Sequence, residues 1–391
     1  GFDHQCVKYI DRVFFWGDSE KENWCDRHVH MENGQGITTG NPRFDLSKPQ
    51  WANYYRTISE NVSSEKYILI NAAFGGANAL IDPQTEAIKH WGKQKGSESI
   101  YDMWMPYVHY QRKLLPLFIE GIIALTKHFS YQKFIIRPHP TEKEETYVSA
   151  FSCMSNVHVI RDGAVQEWLP NATIMIHNGC TTAIEAYFAG LEPICYAPYV
   201  EEDHIQTLTF DVSEVVREID ELIDLVGKKL RGEISLTKER RSKIDASIKP
   251  HIDNLNYNCV DKIARELDLI QLEGSPKFNF DHLNNWRDKI PKIFRGKIIR
   301  LEKRLKIISQ EIIHHVGKNR KKTSLRNQMA ARGKKKFPSL TMEEIMIRIE
   351  ALKKVDPEVN HVSVKSLEEN VFCIKRKSII KNGSYSSQQE S

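Results

Sequence analysis

The sequence predicts an α/β protein built on a doubly wound parallel sheet. Between residues 66 and 198, five short apolar runs rich in Ile, Val, Tyr and Phe alternate with segments of helical periodicity. Such runs are typical of strands that helices cover on both faces, and their alternation with helices favours parallel strand order. A chain of 391 residues has room for one large domain or two ordinary ones.

The predicted strands are, in chain order, residues 66–72, 133–138, 157–160, 173–177 and 193–197. The helices between them cover Tyr101 to Phe129, a segment opened by Thr141, a short stretch that ends near Pro170, and one closed by Gly190. Right-handed crossovers bring the C-terminal ends of all these strands to one edge, where sheets of this type bind ligands.

The segments on either side of this unit have a different character. The runs 11–17 and 36–46 are interpreted as the last strands of another α/β unit, and 51–65 as a connector. Residues 1–50 are too few for a complete doubly wound domain, so we expect a partial N-terminal α/β domain. Acidic helices at 211–230 and 237–269 complete a domain over 66–270. A basic, mainly helical region (271–336), a small α/β module (337–380) and a disordered tail (381–391) are expected after it.

Charge and cysteine content narrow the functional classes. The net charge of +5 conceals a basic end, because residues 281–391 hold 26 Lys and Arg against 12 Asp and Glu. An apolar face accompanies these charges, so 285–336 is expected either to contact a membrane surface or to dock on the protein's own core. No nucleic-acid-binding motif is present. Seven scattered cysteines disfavour a disulfide framework or a zinc site and indicate a cytoplasmic protein. No apolar run is long enough to span a bilayer, and no signal-peptide pattern opens the sequence.

The stretch from His177 to Pro198, HNGCTTAIEAYFAGLEPICYAP, combines a buried strand, a Gly-containing turn and a helix start. Unpaired backbone N–H groups at such a start suit a phosphate, and two threonine hydroxyls would add to them. A carboxylate one turn further along would meet a ribose. The alternative is an N-cap threonine followed by an exposed glutamate. The predicted donor-binding residues here are His177, Asn178, Gly179, Thr181, Thr182 and Glu185.

Two further segments end at the same predicted edge. FIIRPHPTE places Arg137 and His139 after a strand, where they would stabilise a departing phosphate, with His139 as general acid. The alternative is a histidine that only packs in its loop. INAAFGGAN lets the backbone approach a ligand at Gly75 and Gly76, or forms an ordinary turn. Its candidate contacts are Asn71, Phe74, Gly75, Gly76 and Asn78. It is not a dinucleotide fingerprint, because it has no G-x-G-x-x-G.

In combination these motifs resemble known families. Gly179, Thr181, Thr182 and Glu185, followed by Ala186, Gly190 and Pro193, are similar to the donor-binding signature of GT-B glycosyltransferases. Arg-Pro-His-Pro resembles the His-Pro motif of bacterial sialyltransferases and Kdo transferases. With GNPRFDL (40–46) included, residues 8–200 resemble a family of bacterial surface-carbohydrate biosynthesis proteins that serve capsule and lipopolysaccharide synthesis.

The resemblance implies a GT-B-like, Rossmann-type donor domain and a partial N-terminal domain from the acceptor side. It also implies transfer of a sugar, with a CMP-linked nonulosonic acid or Kdo as the expected donor and a glycan or lipid-linked molecule as acceptor. Members of this class require no metal, and the sequence has no Asp-x-Asp motif. The catalytic base is expected in N-terminal sequence outside this chain rather than at Asp45. The alternatives are a sugar-nucleotide 2-epimerase of GT-B architecture and a non-enzymatic nucleotide-binding scaffold.

Overall fold

The computed structural model describes residues 10–27, 34–58, 65–80, 97–270, 341–356, 359–360, 362–368 and 371–376. The predicted basic region at 271–336 and the predicted tail at 381–391 lie outside these ranges. Among the helices of the described ranges, none has the length and apolar character needed to cross a bilayer.

The N-terminal segment contains two short parallel strands and three helices. Strands β1 (Val13–Phe15) and β2 (Gly36–Thr38) pair in parallel. Helix α1 (Asp18–Arg27) lies between them in sequence, and α2 (Pro42–Asp45) and α3 (Ala52–Ile58) follow. Asn41 begins α2, because its side-chain oxygen accepts a hydrogen bond from the Arg43 amide and proline follows at the first helical position.

A six-stranded, all-parallel sheet forms the body of the protein. Its strands are β3 (Tyr67–Asn71), β4 (Phe134–Arg137), β5 (Val157–Val159), β6 (Ala172–His177), β7 (Ile194–Tyr196) and β8 (Glu214–Val216). Their spatial order is β5-β4-β3-β6-β7-β8. The chain winds outward from β3 in one direction and then from β6 in the other, which confirms the predicted doubly wound sheet. The point where the direction reverses lies between β3 and β6, and ligands of such sheets bind there.

Helices cover both faces of the sheet, as the continuous apolar strands predict. The connecting helices are α4 (Ser97–His128), α5 (Glu145–Ala150), α6 (Val165–Trp168), α7 (Thr182–Phe188), α8 (Thr207–Asp211) and α9 (Ile219–Leu230). Ile68 and Ile70 pack in one core cluster with side chains of α4 and α9. Tyr67 and Leu69 alternate with them and pack in a second cluster with α6 and α7.

Three details differ from the sequence-based expectation. The helix expected at 211–230 is divided, because Glu214–Val216 pairs with β7 as the edge strand β8. The helix expected at 237–269 is also divided, into α10 (Lys238–Ile248) and α11 (Cys259–Asp268), with Pro250 soon after the first. The helix expected to open at Thr141 begins only at Glu145, because Thr141 takes part in a loop with His139.

The segment after α10 returns to the N-terminal part of the chain. The amide of Ser19 donates to the carbonyl of Pro250, and that of Asp253 donates to the carbonyl of Trp16. Further along, α12 (Met342–Val355) packs on Tyr54 and Tyr55 of α3. It is followed by an antiparallel pair, β9 (Val362–Glu368) and β10 (Val371–Arg376). The domain boundaries stay a prediction.

Candidate functional site

Three loops meet where the winding of the sheet reverses. They follow β3, β4 and β6 and carry all three predicted motifs. Side chains connect them directly: Asn178 Oδ1 accepts a hydrogen bond from the Ala73 amide at 2.9 Å, and Asn71 Nδ2 donates to Thr182 Oγ1 at 3.1 Å. The Oδ1 atom of Asn71 is buried and has no hydrogen-bond partner in the structure. A polar edge therefore forms where parallel sheets bind ligands.

His177, the last residue of β6, fixes the turn that follows the strand. Its Nδ1 accepts hydrogen bonds from the amides of Gly179 (3.0 Å) and Cys180 (3.2 Å), so the ring proton lies on Nε2, 2.8 Å from Ser213 Oγ. The ring is fully buried, and burial lowers its pKa to about 3. His177 was predicted to contact the donor. In the structure it instead holds the turn, because both ring nitrogens are committed within the protein.

The turn itself presents the first residues of α7. Gly179 has φ +90°, a conformation that favours glycine. Thr181 occupies the N-cap position of α7 and is exposed, but its side chain makes no capping hydrogen bond, and its amide has no acceptor among the described residues. Thr182 is fixed by Asn71. One open N–H and one open hydroxyl thus lie at the edge, as an anionic ligand requires.

Glu142 organises the other two loops, a role that the sequence reasoning missed. Its carboxylate is fully buried, and Oε1 accepts from the amides of Phe74 (2.8 Å) and His139 (3.1 Å). Oε2 accepts from the hydroxyl of Tyr147 (2.6 Å) and from Asn78 Nδ2 (3.3 Å). Burial raises the pKa of Glu142, and these four donors oppose that shift. Glu142 follows Pro140 by two residues, a position that does not by itself indicate a buried carboxylate.

The Gly-Gly loop after β3 is also held by a residue that the sequence reasoning missed. Gln111 of α4 accepts a hydrogen bond from the Gly76 amide at 2.7 Å and donates to the Ala73 carbonyl at 2.8 Å. A Cβ atom on Gly76 would lie 2.6 Å from Gln111 Oε1, so a larger residue at this position would have to displace the Gln111 side chain. Phe74 was predicted to contact the donor, but its ring is fully buried against Phe118 of α4. Its side chain belongs to the core.

Arg137, the last residue of β4, and His139, two residues later, lie in different environments. Arg137 Nη2 donates to the carbonyls of residues 161, 162 and 163, and the guanidinium lies 5.4 Å from the centre of the Trp168 ring. Burial lowers the pKa of Arg137 to about 10. Arg137 is predicted from the sequence to contact a phosphate directly. In the structure its Nη2 atom instead contacts the loop after β5. His139 is half-buried, and its Nδ1 accepts from the Thr141 amide at 3.3 Å, which leaves the proton of the neutral ring on Nε2.

Glu185 does not face solvent. Only 1% of it is exposed, and burial raises the pKa of its carboxyl group. Arg43 donates to both carboxylate oxygens, from Nε at 2.6 Å and from Nη2 at 3.0 Å, and Gln166 adds a third hydrogen bond at 2.5 Å. This carboxylate is predicted from the sequence to meet a ribose. In the structure protein donors cover it, and Arg43, from the GNPRFDL segment, is the exposed member of the group.

Asp45 is buried and accepts hydrogen bonds from groups of the protein. It is 3% exposed, and its Oδ2 accepts hydrogen bonds from the amides of Cys259 and Val260 at the start of α11. Its Oδ1 accepts from Lys48 and from Asn254. The carboxylate thus caps a helix that is distant in sequence.

Comparison with known proteins identifies structures of similar fold. No family model matches the chain, and no curated protein matches it. The UDP-GlcNAc 2-epimerase of Methanocaldococcus jannaschii, solved with UDP-GlcNAc and UDP, is 16% identical, with a TM-score of 0.38 over 66% of this chain and 61% of that one. The wall teichoic acid polymerase TagF is 14% identical, with a TM-score of 0.40 over 68% and 60%. The UDP-GlcNAc 2-epimerase of Neisseria meningitidis, bound to UDP-GlcNAc, is 12% identical, with a TM-score of 0.38 over 66% and 61%.

The aligned part of this chain spans about three fifths of the length of these structures. At this level of identity and superposition, their substrates say nothing about the substrate of this chain. Its chemistry follows from the geometry at the edge of its own sheet.

Proposed function

We propose that this chain binds a nucleotide-activated sugar at the β3–β6 crevice and serves as the donor half of a glycosyltransferase of bacterial surface polysaccharide synthesis. The observation that carries this proposal is the meeting of the Gly179 turn, the open Thr181 amide and hydroxyl, and the Gly75–Gly76 loop at the reversal point of a doubly wound sheet. A phosphate suits this edge because it accepts hydrogen bonds from backbone amides and hydroxyls.

In the proposed reaction the bond between the anomeric carbon and the phosphate oxygen breaks while an acceptor hydroxyl oxygen bonds to that carbon. The acceptor proton passes to a base that we do not assign among the described residues. The phosphate gains negative charge as it leaves. Thr181 would donate hydrogen bonds to it, and His139 would stabilise it by donating a hydrogen bond from Nε2, in place of the proton transfer predicted from the sequence, because a ring whose Nδ1 accepts from an amide is neutral. Arg137, half-buried at the end of β4, would contribute its positive charge.

The proposed donor is a CMP-linked nonulosonic acid or Kdo-type sugar, and the proposed acceptor is a glycan or a lipid-linked saccharide. This choice depends on the similarity of Arg137-Pro-His139-Pro to the motif of transferases that use such donors. No metal is proposed, since hydrogen-bond donors of the protein would stabilise the leaving phosphate.

Isothermal titration of the full chain with CMP and with UDP tests this function. We expect CMP to bind more tightly. Tighter binding of UDP would contradict the donor choice and favour the 2-epimerase alternative. The absence of binding by both nucleotides would contradict both enzymatic proposals and leave only a scaffold role without a working nucleotide site.

A matched pair of variants tests the position of the site. Thr181→Val removes the hydroxyl at the start of α7, and we expect about tenfold weaker CMP binding, the effect of one hydrogen bond to a charged group. Thr173→Val makes the same change at the exposed second residue of β6, near the end of the strand that lies away from the site. It should leave the Kd unchanged. Equal effects of the two substitutions would place the nucleotide elsewhere.

Contact of residues 285–336 with a membrane surface stays a prediction from the sequence, as does a peripheral location on the cytoplasmic face of the plasma membrane. Liposome flotation of the protein with and without this segment tests it. Flotation that does not change on removal of the segment would exclude membrane contact through these residues.

A further inference from the structure

We propose that Arg43 is the residue that contacts the anionic part of the donor, and that Glu185 is its positioning residue. This inference rests on the proposed function and changes its chemistry. The carboxylate expected to hold a ribose would instead hold a guanidinium, and the guanidinium would recognise negative charge on the ligand. The donor site would then include a residue of the N-terminal segment, which approaches the edge of the sheet from outside the donor domain.

The backbone that carries Arg43 is fixed at several points. Asn254 holds Asn41 on both sides, because its Oδ1 accepts from the Asn41 amide at 3.0 Å and its Nδ2 donates to the Asn41 carbonyl at 3.1 Å. On the other side of Arg43, the Phe44 ring stacks on Phe188 of α7 with 5.1 Å between ring centres. The Cα atom of Arg43 is therefore placed against α7 by groups that do not involve its own side chain.

The guanidinium of Arg43 is fixed as well. Nε and Nη2 form a two-point contact with the Glu185 carboxylate, which restricts both the position and the plane of the group. Gln166 holds that carboxylate from another side. Because Glu185 is 1% exposed, water does not compete for its oxygens. A fixed guanidinium loses little entropy when it binds a ligand, so it is preorganised for that purpose.

One edge of the Arg43 guanidinium remains available. The side chain of Arg43 is 57% exposed, whereas that of Glu185 is 1% exposed. The Nη1 atom has no acceptor among the described residues, although a guanidinium offers five N–H donors. Glu185 uses two of its positions, and the others remain for a further acceptor. Phosphate and carboxylate oxygens are the acceptors that a guanidinium recognises best.

This group lies beside the open helix start. Glu185 follows Thr181 by four residues on α7, which is a separation of about 6 Å along the helix axis. An extended anionic ligand such as a nucleoside phosphate linked to a sugar acid spans such a distance. Its phosphate or its sugar carboxylate would meet Arg43 while another part meets Thr181. Arg137 also lies close enough to Glu185 to affect the pKa of its carboxyl group, so a second cation borders the same region.

The test compares two ligands and four forms of the protein. CMP carries the phosphate alone, and CMP-N-acetylneuraminic acid carries the phosphate and a sugar carboxylate. The four forms are the wild type, Arg43→Gln, Glu185→Gln and the double variant Arg43→Gln/Glu185→Gln, and Arg231→Gln is a separate control. Arg231 makes the same two-point contact to Glu233 on the exposed surface after α9. The double variant is used because Arg43→Gln alone would leave the buried Glu185 charge without a partner.

We expect the double variant to bind about tenfold more weakly, with Arg231→Gln equal to the wild type. A loss for both ligands would assign Arg43 to the phosphate, and a loss for the sugar nucleotide alone would assign it to the carboxylate. Arg43→Gln alone and Glu185→Gln alone should each produce most of the same loss, and their combination should add little to either. Such non-additivity marks two residues that act as a unit.

Three results would overturn the inference. Unchanged affinity of the double variant for both ligands would show that Arg43 contacts neither anion. Tighter binding by the double variant would show that Arg43 competes with the ligand. Independent, additive losses would show that Glu185 contacts the ligand itself. If the wild type binds neither ligand, the proposed function fails first, and that result is distinct from the other three because it requires no variant.

Discussion

Replacement of His177 by asparagine tests whether this histidine supports the Gly179 turn as a neutral, buried ring. The Oδ1 of asparagine lies close to the position of the histidine Nδ1, so it can still accept the hydrogen bonds from the Gly179 and Cys180 amides. Ser213 also keeps its own acceptor, because its hydroxyl donates to the Thr209 carbonyl at 2.6 Å. The substitution therefore removes the titratable group while most of the local hydrogen bonding is kept.

The expected effect is a change in the pH dependence of stability. Burial lowers the pKa of His177 from 6.5 to about 3. The unfolded chain then binds a proton at His177 below pH 6.5 while the native protein does not. This contribution to the stability is complete above pH 6.5 and is lost as the pH falls towards 3. Between pH 8 and pH 5 the wild type should lose about 2 kcal/mol through this residue, and the asparagine variant should not.

Urea unfolding at a series of pH values between 8 and 5 measures the difference. As the pH falls, the free energy of unfolding of the wild type should decrease by about 2 kcal/mol relative to that of His177→Asn, whatever their difference at pH 8. Other groups that titrate in this range cancel in the comparison. Parallel curves for His177→Asn would refute a neutral, buried ring at this position.

Three further predictions concern residues that hold the loops and the segments together. Glu142→Gln should lower the free energy of unfolding by about 2 kcal/mol, since an amide cannot accept all four hydrogen bonds, whereas Glu145→Gln on the surface of α5 should cost less than about 1 kcal/mol. Urea unfolding compares the two, and equal losses would contradict the role of Glu142. Gly76→Ala should displace the Gln111 side chain and weaken CMP binding about tenfold by titration; an unchanged Kd would show that this loop is not part of the site. Asp45→Asn should cost about 2 kcal/mol in urea unfolding through loss of the α11 cap, and an effect below about 0.5 kcal/mol would contradict that contact.

Much of the fold could be predicted because strand positions depend on local composition. The five predicted strands between residues 66 and 198 agree with β3 to β7 within one or two residues, since each buried strand is a continuous apolar run. The edge strand β8 was missed. Its exposed Val215 and partly exposed Glu214 lack that pattern, and only pairing with β7 makes the segment a strand. The break between α10 and α11 was missed although Pro250 is a local signal for it.

The location of the candidate site could be predicted from the sequence, but its side-chain contacts could not. Strand order brings the ends of β3, β4 and β6 together, so the three motifs at those ends had to be neighbours. Glu142 and Gln111 were missed because nothing in their local sequence indicates a buried polar side chain. Their acceptor and donor atoms acquire a role only when loops that are distant in sequence are placed beside them.

The sequence was sufficient to predict the parallel sheet and the edge at which a ligand is expected, because apolar runs and glycine turns depend on local sequence. The partner of each polar side chain depended on the tertiary structure. His177 bonds to a residue 36 positions away, Glu185 to one 142 positions away, and Asp45 to the amide of one 214 positions away. At such separations the pairing is decided by how elements pack, and burial then determines which groups meet water and which ones a ligand can reach. The HNGCTT turn keeps its expected place at the edge, with His177 beneath it and Arg43 exposed beside Glu185.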